Sequence, residues 1–126
     1  MGKRILIVDD EPDIVKLLKA RLLLLEYEVI AAYDGEEALD KVYRENPDLI
    51  ILDITLPKID GYKVCSILKN DPEYKAYKNV PIIMLTGNRK EVEDISTGLK
   101  LGADSYLQKP VKVELLVAIV QGLIGK

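Results

Sequence analysis

The sequence has 126 residues, of which 48% are hydrophobic and 31% are charged, and its formal net charge is -3. A chain of this length forms one domain with its own core, and so modest a net charge supports neither nucleic-acid binding nor an acidic tail. The absence of histidine excludes a histidine kinase, a phosphohistidine carrier and a Ser-His-Asp hydrolase, and it leaves oxygen atoms as the ligands of any metal site.

The N-terminal residues and the cysteine content indicate the compartment. Met1-Gly2-Lys3-Arg4 leads directly into an apolar run, without the pattern of a signal peptide. No apolar run approaches the roughly 20 residues that span a bilayer. The single cysteine, Cys65, cannot form an internal disulfide and is expected to be a small core residue. We therefore expect a cytoplasmic protein that does not contact a membrane.

Five short apolar runs predict β-strands, and a helical pattern follows each of them. The predicted strands are residues 4–8, 28–32, 49–52, 82–85 and 105–107. The predicted helices are residues 12–25, 35–45, 61–70, 90–99 and 113–123. Residues 71–81 are expected to form a surface loop packed by its tyrosines. This strict alternation predicts an α/β fold with a doubly wound, five-stranded parallel sheet.

Acidic residues stand where two of the predicted strands end. Asp9 and Asp10 follow the first strand, and Asp53 follows the third. Ligands of parallel sheets bind outside the carboxyl ends of the strands, so we expect the three carboxylates to share one crevice. Their mutual repulsion requires a cation or a proton. Asp53 is the most informative of the three, because an acid directly after four large apolar residues is costly to bury without a partner.

The fourth and fifth predicted strands bring a hydroxyl and an ammonium group to the same edge, those of Thr86 and Lys109. With these two residues added, the chain resembles a response-regulator receiver domain of the chemotaxis-regulator type along its whole length. The resemblance rests on motifs that occur in order: Asp9-Asp10, Asp53, Leu56-Pro57, Asp60-Gly61, Thr86, Tyr106 and Lys109-Pro110. It implies a flavodoxin-like (βα)5 fold with strand order 2-1-3-4-5. We expect residues 1–126 to be this single domain without an output domain, and to act alone rather than as part of a longer chain.

The chemistry of the crevice and the resemblance assign the same role to Asp53. It is expected to be the phosphoacceptor, a carboxylate that attacks a phosphoryl group and forms an aspartyl phosphate. The resemblance implies that Asp10, Asp53 and the backbone carbonyl of Thr55 bind Mg²⁺, with Mn²⁺ as the alternative ion, while Asp9 acts through a water molecule. The metal would neutralise the negative charge of the clustered carboxylates. Phosphoryl transfer depends on such electrostatic stabilisation.

The remaining site residues are expected to act on the phosphoryl group and to transmit its presence. Lys109 would pair with Asp53 or with a phosphoryl oxygen, and the Lys109-Pro110 bond is a candidate cis peptide. Thr86 would donate its hydroxyl to the phosphoryl group once it has formed. The resemblance implies that Thr86 and Tyr106 form a switch pair that changes the face made by the fourth helix, fifth strand and fifth helix.

Without histidine the chain needs an external phosphoryl donor, which we expect to be a sensor histidine kinase or a phosphotransfer protein. The predicted fifth helix carries two apolar stripes that indicate a further contact. One stripe is expected to cover the sheet and comprises Val111, Leu115, Ala118, Ile119 and Gly122. The other is expected to be exposed, and to bind a downstream protein or a second copy of the chain; it comprises Val113, Leu116, Val117, Val120 and Ile124.

Three features of this face differ from the winged-helix transcription regulators, whose receivers pair through charged residues. Asp104 is followed by Ser105 rather than by a second aspartate, and Val111 replaces the common phenylalanine after Lys-Pro. The predicted fifth helix also contains no arginine. We therefore expect an apolar contact through this helix rather than a charged network.

Other functions share parts of the pattern. A haloacid-dehalogenase-type phosphatase also forms an aspartyl phosphate with Mg²⁺, but that family has a second aspartate two residues after the nucleophile, where this chain has Thr55. A flavodoxin-like electron carrier shares the strand order, but Asp9-Asp10-Glu11 would repel the flavin phosphate. A receiver that acts by binding alone is disfavoured by the complete set of site residues. We therefore expect a signalling domain that catalyses only its own phosphorylation and dephosphorylation, without direct nucleic-acid contact.

Overall fold

The structure, a computed structural model, describes residues 2–87 and 102–125. Its strands are β1 (Arg4–Val8), β2 (Glu28–Ala32), β3 (Leu49–Asp53), β4 (Ile82–Thr86) and β5 (Ser105–Gln108). Its helices are α1 (Pro12–Leu24), α2 (Gly35–Glu45), α3 (Gly61–Asn70), a 3₁₀ helix (Pro72–Tyr77) and the last helix (Val113–Ile124). The predicted fourth helix, residues 90–99, lies outside the described residues. Within the two described ranges, no helix has both the length and the apolar character needed to cross a bilayer.

All five strands form one parallel sheet in the order β2-β1-β3-β4-β5. This order confirms the predicted doubly wound α/β fold. Strands β3, β4 and β5 each extend one residue further than predicted, so that Asp53 pairs with Leu85 and Thr86 pairs with Gln108 in the sheet register. Asp53 and Thr86 are therefore held by main-chain pairing rather than carried on loops.

Helices cover both faces of the sheet and create two separate cores. On one face the strands pack against α1 and the last helix, which contribute Val15, Leu18, Leu22, Leu116 and Val120. On the other face they pack against α2 and α3, which contribute Ala38, Leu39, Val42, Val64 and Leu68. Because β1, β3 and β4 are buried on both faces, their sequences are continuous apolar runs instead of alternating ones.

The last helix faces the sheet mainly with residues that were predicted to be exposed. Leu116 and Val120 are fully buried and Val117 is 9% exposed, whereas Leu115 is 48% exposed and Ala118 and Gly122 are also exposed. The predicted facing is therefore wrong for Leu115, Ala118 and Gly122, whereas Val111 and Ile119 pack against this core as predicted. Leu116 and Val120, which were expected to be exposed, fill the core under α1. The helix is apolar on both sides, so periodicity alone could not select the buried one.

Side-chain caps define where two helices begin. Asp34 Oδ1 accepts a hydrogen bond from the backbone N–H of Glu37 at 2.7 Å, and Asp60 Oδ1 accepts one from that of Lys63 at 2.9 Å. Each bond satisfies a donor that the first helical turn leaves free. The caps therefore mark the residues at which α2 and α3 begin.

The segment predicted as a loop, residues 71–81, is partly helical. Residues Pro72–Tyr77 form the 3₁₀ helix, and Asp71 Oδ1 accepts a hydrogen bond from the backbone N–H of Glu73 at 2.9 Å. Tyr74 and Tyr77 pack against the core on the side of α3. The expectation of tyrosine packing is confirmed, while the expectation of an irregular loop is wrong, because the Asp-Pro pair supplies a cap and a first helical residue.

Cys65 on α3 is fully buried between the helix and the sheet. Burial raises the pKa of its thiol to about 11. A thiol that stays protonated and inaccessible is unreactive, so Cys65 is a core residue, as expected.

Candidate functional site

Four strand ends meet at one edge of the sheet. Asp9 directly follows β1, Asp53 ends β3, Thr86 ends β4 and Lys109 directly follows β5. Main-chain hydrogen bonds continue past the strands: the N–H of Asp9 donates to the carbonyl of Ala32 at 3.1 Å, and the N–H of Lys109 donates to the carbonyl of Thr86 at 2.7 Å. The side chains at this edge are therefore carried on rigid backbone.

The Lys109 ammonium lies between three carboxylates. Its Nζ is 3.0 Å from Asp9 Oδ2, 3.1 Å from Glu11 Oε1 and 3.2 Å from Asp53 Oδ2. Burial by itself lowers the pKa of Lys109, but hydrogen bonding to Asp9 and the negative charges of Asp53 and Asp9 outweigh it and raise that pKa overall. Lys109 therefore stays charged and serves as a counter-ion inside the site.

Asp53 combines deep burial with access to the cleft described below. Its residue is 2% exposed, its Oδ1 accepts a hydrogen bond from the Thr55 backbone N–H at 3.3 Å, and its Oδ2 accepts one from Lys109. Burial and the charge of Asp9 raise the pKa of Asp53 to about 6, against the lowering effect of Lys109. The group is ionised at neutral pH, although its environment disfavours the charge.

The acidic cluster has the composition of a site for a hard cation. One carboxylate oxygen each from Asp9, Asp10 and Asp53 can be chosen so that all lie within 4.8 Å of one another. Among the described residues, the charged partner of the buried Oδ2 of Asp9 is the Lys109 ammonium, 3.0 Å away. Oxygen donors at this spacing fit Mg²⁺ or Mn²⁺, and a soft metal would find no matching ligand among the three.

An open cleft of about 620 Å³ lies above these groups. Its polar lining comes from Asp10, Glu11, Asp53, Thr55, Gly87 and Lys109. Thr86 is 1% exposed and lies at the strand end below this opening, next to Gly87. The cleft has room for a phosphoryl group directly over the Asp53 carboxylate.

Gly61 explains how α3 can begin so close behind the site. A Cβ atom at this position would overlap the carbonyl oxygen of Asp53, and the Gly61 N–H donates to the Ile54 carbonyl at 2.8 Å. Only glycine permits this approach of two backbones. The Asp60-Gly61 pair thus supplies a helix cap and a close contact to the end of β3.

Tyr106 lies on β5 and points toward the core between the sheet and α3. Its ring packs against that core, and among the described residues its buried hydroxyl has no hydrogen-bond partner. Burial, together with neighbouring Cys65 and Tyr62, raises the pKa of the phenol to about 12. The ring is therefore partly inside the molecule, on the face of the sheet opposite α1.

Two details of the site bear on the sequence-based expectations. The Lys109-Pro110 peptide is cis, as predicted. The contact between Glu11 and Lys109 was not foreseen, because Glu11 carried no signal beyond following the acidic pair. Its position as the residue before Pro12, at the start of α1, places its carboxylate at the rim of the cleft.

The chain matches one known domain family over nearly all its length. The sequence model of the response regulator receiver domain matches residues 5–121, which include every residue of the site. The chain belongs to this family. Receiver domains are the signalling modules of two-component systems rather than classical enzymes. They bind Mg²⁺ at an acidic pocket. Their membership in two-component systems implies a histidine kinase partner.

Relatives of this receiver domain include transcriptional regulators. The alkaline phosphatase synthesis transcriptional regulatory protein PhoP of Bacillus subtilis is 45% identical over 126 residues, which are 100% of this chain and 50% of PhoP. The probable transcriptional regulator ycf27 of Guillardia theta is 46% identical over 124 residues, which are 98% of this chain and 46% of ycf27. This receiver domain thus spans about half the length of these relatives. The differences noted at Asp104-Ser105 and Val111 do not separate it from transcriptional regulators as a group.

Solved structures agree with the receiver fold along the entire chain. A response regulator from Chloroflexus aurantiacus is 36% identical with a TM-score of 0.86, and the match covers 100% of both chains. The chemotaxis protein CheY4 of Vibrio cholerae is 31% identical with a TM-score of 0.85, and the match covers 98% of this chain and 99% of CheY4. The expected family and its fold are therefore confirmed.

Proposed function

We propose that this receiver domain accepts a phosphoryl group from a partner's phosphohistidine onto Asp53. An oxygen of the Asp53 carboxylate forms a bond to phosphorus while the phosphorus–nitrogen bond breaks and its electron pair returns to the imidazole. The observation that carries this proposal is the environment of Asp53, a buried carboxylate that opens into a cleft beside an ammonium group and two further acids. No other described carboxylate combines these features.

Asp10, Asp53 and the backbone carbonyl of Thr55 would hold Mg²⁺, or Mn²⁺ as the alternative, and Asp9 would act through a water molecule. The ion supplies positive charge against the phosphoryl oxygens and the clustered acids. Support comes from the oxygen spacing in the cluster and from the position of Thr55 on the cleft wall. Asp9 is completely buried, which suits a role behind the direct ligands.

Lys109 and Thr86 would act on the transferred group. Lys109 already contacts Asp53 Oδ2 at 3.2 Å, so a phosphoryl oxygen bonded to Asp53 would come within reach of the same ammonium. Thr86 is fixed at the end of β4, the strand that pairs with β3 beside Asp53. Its hydroxyl would donate a hydrogen bond to the phosphoryl group after transfer.

Thr86 and Tyr106 would link the site to the output face. They lie on neighbouring strands of the sheet, and the backbone carbonyl of Thr86 accepts a hydrogen bond from the N–H of Lys109 just beyond β5. A movement of Thr86 toward the phosphoryl group would free space that the Tyr106 ring can occupy. The residues of the predicted fourth helix, which complete this face, lie outside the described ranges.

The exposed side of the last helix is the proposed contact surface for a downstream protein or a second copy. It presents Leu115, Ala118 and Gly122 to solvent, an apolar stripe of the kind that marks partner surfaces. The nearby acid Asp104, which was considered above for charged pairing between receivers, instead has a partner within the fold: its Oδ2 accepts a hydrogen bond from the N–H of Ile82 at 2.8 Å. Since the relatives named above are transcriptional regulators, we propose control of transcription as the output of this contact.

Phosphatase activity on external substrates is the alternative function. Such an enzyme requires an acid two residues beyond the nucleophile to protonate a leaving group, and Thr55 occupies that position. Its hydroxyl is too weak an acid for this step. The proposal is therefore a domain that catalyses only its own phosphorylation and dephosphorylation.

Intact-mass measurement after incubation with acetyl phosphate and Mg²⁺ tests the proposal. We expect the mass of one phosphoryl group to be added to the wild type and not to Asp53→Asn. Asp40→Asn is the matched control, because Asp40 is an exposed carboxylate on α2 far from the strand ends, and it should be labelled as wild type is. Release of phosphate over many turnovers would support the phosphatase instead. Absence of labelling by both acetyl phosphate and a cognate kinase would refute the phosphoacceptor role.

A further inference from the structure

Three tyrosines form a cluster away from the phosphorylation site, where the 3₁₀ helix meets the end of α2. The ring centroids of Tyr43, Tyr74 and Tyr77 are 6.2 Å apart in every pair, with interplanar angles between 54° and 68°. Tyr43 makes edge-to-face contacts with both other rings, while Tyr74 and Tyr77 are tilted against each other. Contacts of this kind favour a defined arrangement of the rings. The Tyr77 hydroxyl also donates to the backbone carbonyl of Tyr43 at 3.3 Å, in the last turn of α2. The cluster is therefore held in place before any partner arrives.

Packing accounts for only part of this cluster. Tyr74 and Tyr77 are half-buried against the core, but Tyr43 is 64% exposed. A cleft of about 340 Å³ lies beside Tyr43 and Tyr74, and its other walls are the acidic residues Asp40 and Glu73. Most of Tyr43 therefore lies in solvent, next to two carboxylates.

The charged side chains that line the cleft, among the described residues, are both acidic. Desolvation raises the pKa of the Tyr74 phenol, and the carboxylates of Glu73, Asp71 and Asp40 raise it further. Lys75 lies on the same 3₁₀ helix but does not line the cleft. Asp40 is paired with Arg44 at 3.2 Å in an exposed, i,i+4 contact, which is weak enough for an incoming cation to replace.

We propose that this aromatic and acidic cleft binds an arginine side chain of a partner protein. A guanidinium group is planar, stacks on the face of an aromatic ring and donates paired hydrogen bonds to a carboxylate. Tyr43 and Tyr74 supply the faces, and Asp40 and Glu73 supply the acceptors. The surface lies against α2 and the 3₁₀ helix, so a partner held here leaves the Asp53 cleft and the exposed side of the last helix free.

Titration with a capped peptide of sequence Gly-Arg-Gly-Arg-Gly, followed by the aromatic NMR signals of the tyrosines, tests this proposal. We expect saturable shifts of the Tyr43 and Tyr74 rings in the millimolar range that weaken as ionic strength rises. Tyr43→Leu and Glu73→Gln should each weaken binding by roughly three- to ten-fold. Tyr33→Leu is the matched control, because Tyr33 is 42% exposed at the end of β2, and it should leave the affinity unchanged.

Two further peptides distinguish a site that is specific for a guanidinium group from one that binds any peptide or any cation. The peptide with citrulline in place of arginine keeps a planar side-chain end group but has no positive charge. The peptide with lysine in place of arginine keeps the positive charge but has no planar group. We expect no saturable shift with citrulline and weaker binding with lysine. Absence of ring shifts with the arginine peptide, equal affinity for all three peptides, or an equal loss of affinity in Tyr33→Leu would overturn the proposal. Circular dichroism of each variant verifies that it is folded.

Discussion

Lys109 holds together an acidic site that would otherwise repel itself. Its ammonium contacts Asp9, Glu11 and Asp53, and the first and third of these are almost completely buried. Buried carboxylates without a partner would destabilise the fold by several kcal/mol. The sequence predicted the pairing with Asp53, because both residues follow apolar strands. It did not predict that Asp9 and Glu11 share the same ammonium, because that contact depends on side-chain conformations that the sequence does not specify.

Replacing Lys109 by methionine should therefore destabilise the metal-free protein. We expect the free energy of unfolding to fall by about 3 kcal/mol in EDTA, because three neighbouring carboxylates lose their counter-ion. Mg²⁺ should restore more stability to Lys109→Met than it adds to the wild type, since the ion then meets less competing positive charge. Urea denaturation with and without Mg²⁺ measures both effects. A smaller stabilisation by Mg²⁺ in the variant than in wild type would contradict this account.

The raised pKa of Asp53 predicts a pH-dependent effect of its removal. The folded protein holds the Asp53 proton more tightly than the unfolded chain, because the pKa is about 6 instead of 3.8. Ionisation of Asp53 therefore lowers the free energy of unfolding as pH rises from about 4 to about 6, by up to about 3 kcal/mol, and the loss persists at higher pH. In metal-free buffer, Asp53→Asn should be more stable than wild type by about 1 to 3 kcal/mol at pH 8.

The difference between Asp53→Asn and wild type should shrink as the pH falls below about 4, because the wild-type carboxyl then becomes protonated in the unfolded chain as well as in the folded protein. Lys109 keeps Asp9 and Glu11 as partners in this variant. Urea denaturation at several pH values, with Asp40→Asn as the exposed control, provides the measurement. An Asn variant that is less stable than wild type at pH 8 would show that the charged pair with Lys109 outweighs the burial of Asp53.

At the scale of elements, the strands and the first three helices follow from local sequence, and the facing of the last helix does not. Caps such as Asp34 and Asp60 and the uninterrupted apolar runs mark their elements without help from the rest of the chain. The last helix has apolar residues around most of its circumference. Its orientation is decided by the space under α1, where Leu116 and Val120 fit, and that space is a property of the assembled sheet.

A pair of substitutions on the last helix separates its two sides. Val120→Glu places a carboxylate in a fully buried position and should lower the free energy of unfolding by about 4 kcal/mol or more. Ala118→Glu is exposed and should change the free energy of unfolding by less than about 0.5 kcal/mol. Thermal and urea denaturation of both variants distinguishes the sides. Similar stability of the two would mean that the helix is turned differently.

Ala118→Glu also tests the proposed contact surface without damaging the fold. If the exposed stripe binds a second copy, sedimentation of the phosphorylated or beryllofluoride-treated protein should detect association in wild type and a smaller dimer fraction in the variant. Identical association of both proteins would place the dimer contact on another surface.

At the scale of the whole molecule, alternation along the sequence determined the fold class, while the strand order came from the family resemblance. Period and composition identify parallel strands and crossover helices, but they do not state which strands are neighbours. The order became predictable only because acidic, hydroxyl and ammonium residues at four strand ends matched a known constellation. The sequence did not predict long-range contacts that lack such a signature. One example is the hydrogen bond from the Tyr27 hydroxyl to the Gly125 carbonyl at 2.6 Å.

That bond joins the residue before β2 to the residue after the last helix, 98 positions away. Tyr27→Phe removes the donor and keeps the buried ring, which is 3% exposed. We expect the free energy of unfolding to fall by about 1 kcal/mol, with faster amide exchange confined to the final turn of the last helix. Hydrogen-exchange mass spectrometry locates the change. Exchange that increases equally in α2, which lies on the opposite face, would argue for a general loosening instead.

The path of the chain through the sheet creates the opening above Asp53. From β1 the chain crosses through α1 to one neighbour, β2, and then returns through α2 to the other neighbour, β3, so that the two connections lie on opposite faces. The helices diverge at this topological switch point and leave a gap between them, which results from the path of the backbone. Substitutions in either core can change the free energy of unfolding. They do not close this gap, because the gap results from the order in which the strands are connected. The position of the opening is therefore set by the order of the strands, and the side chains of the two cores do not determine it.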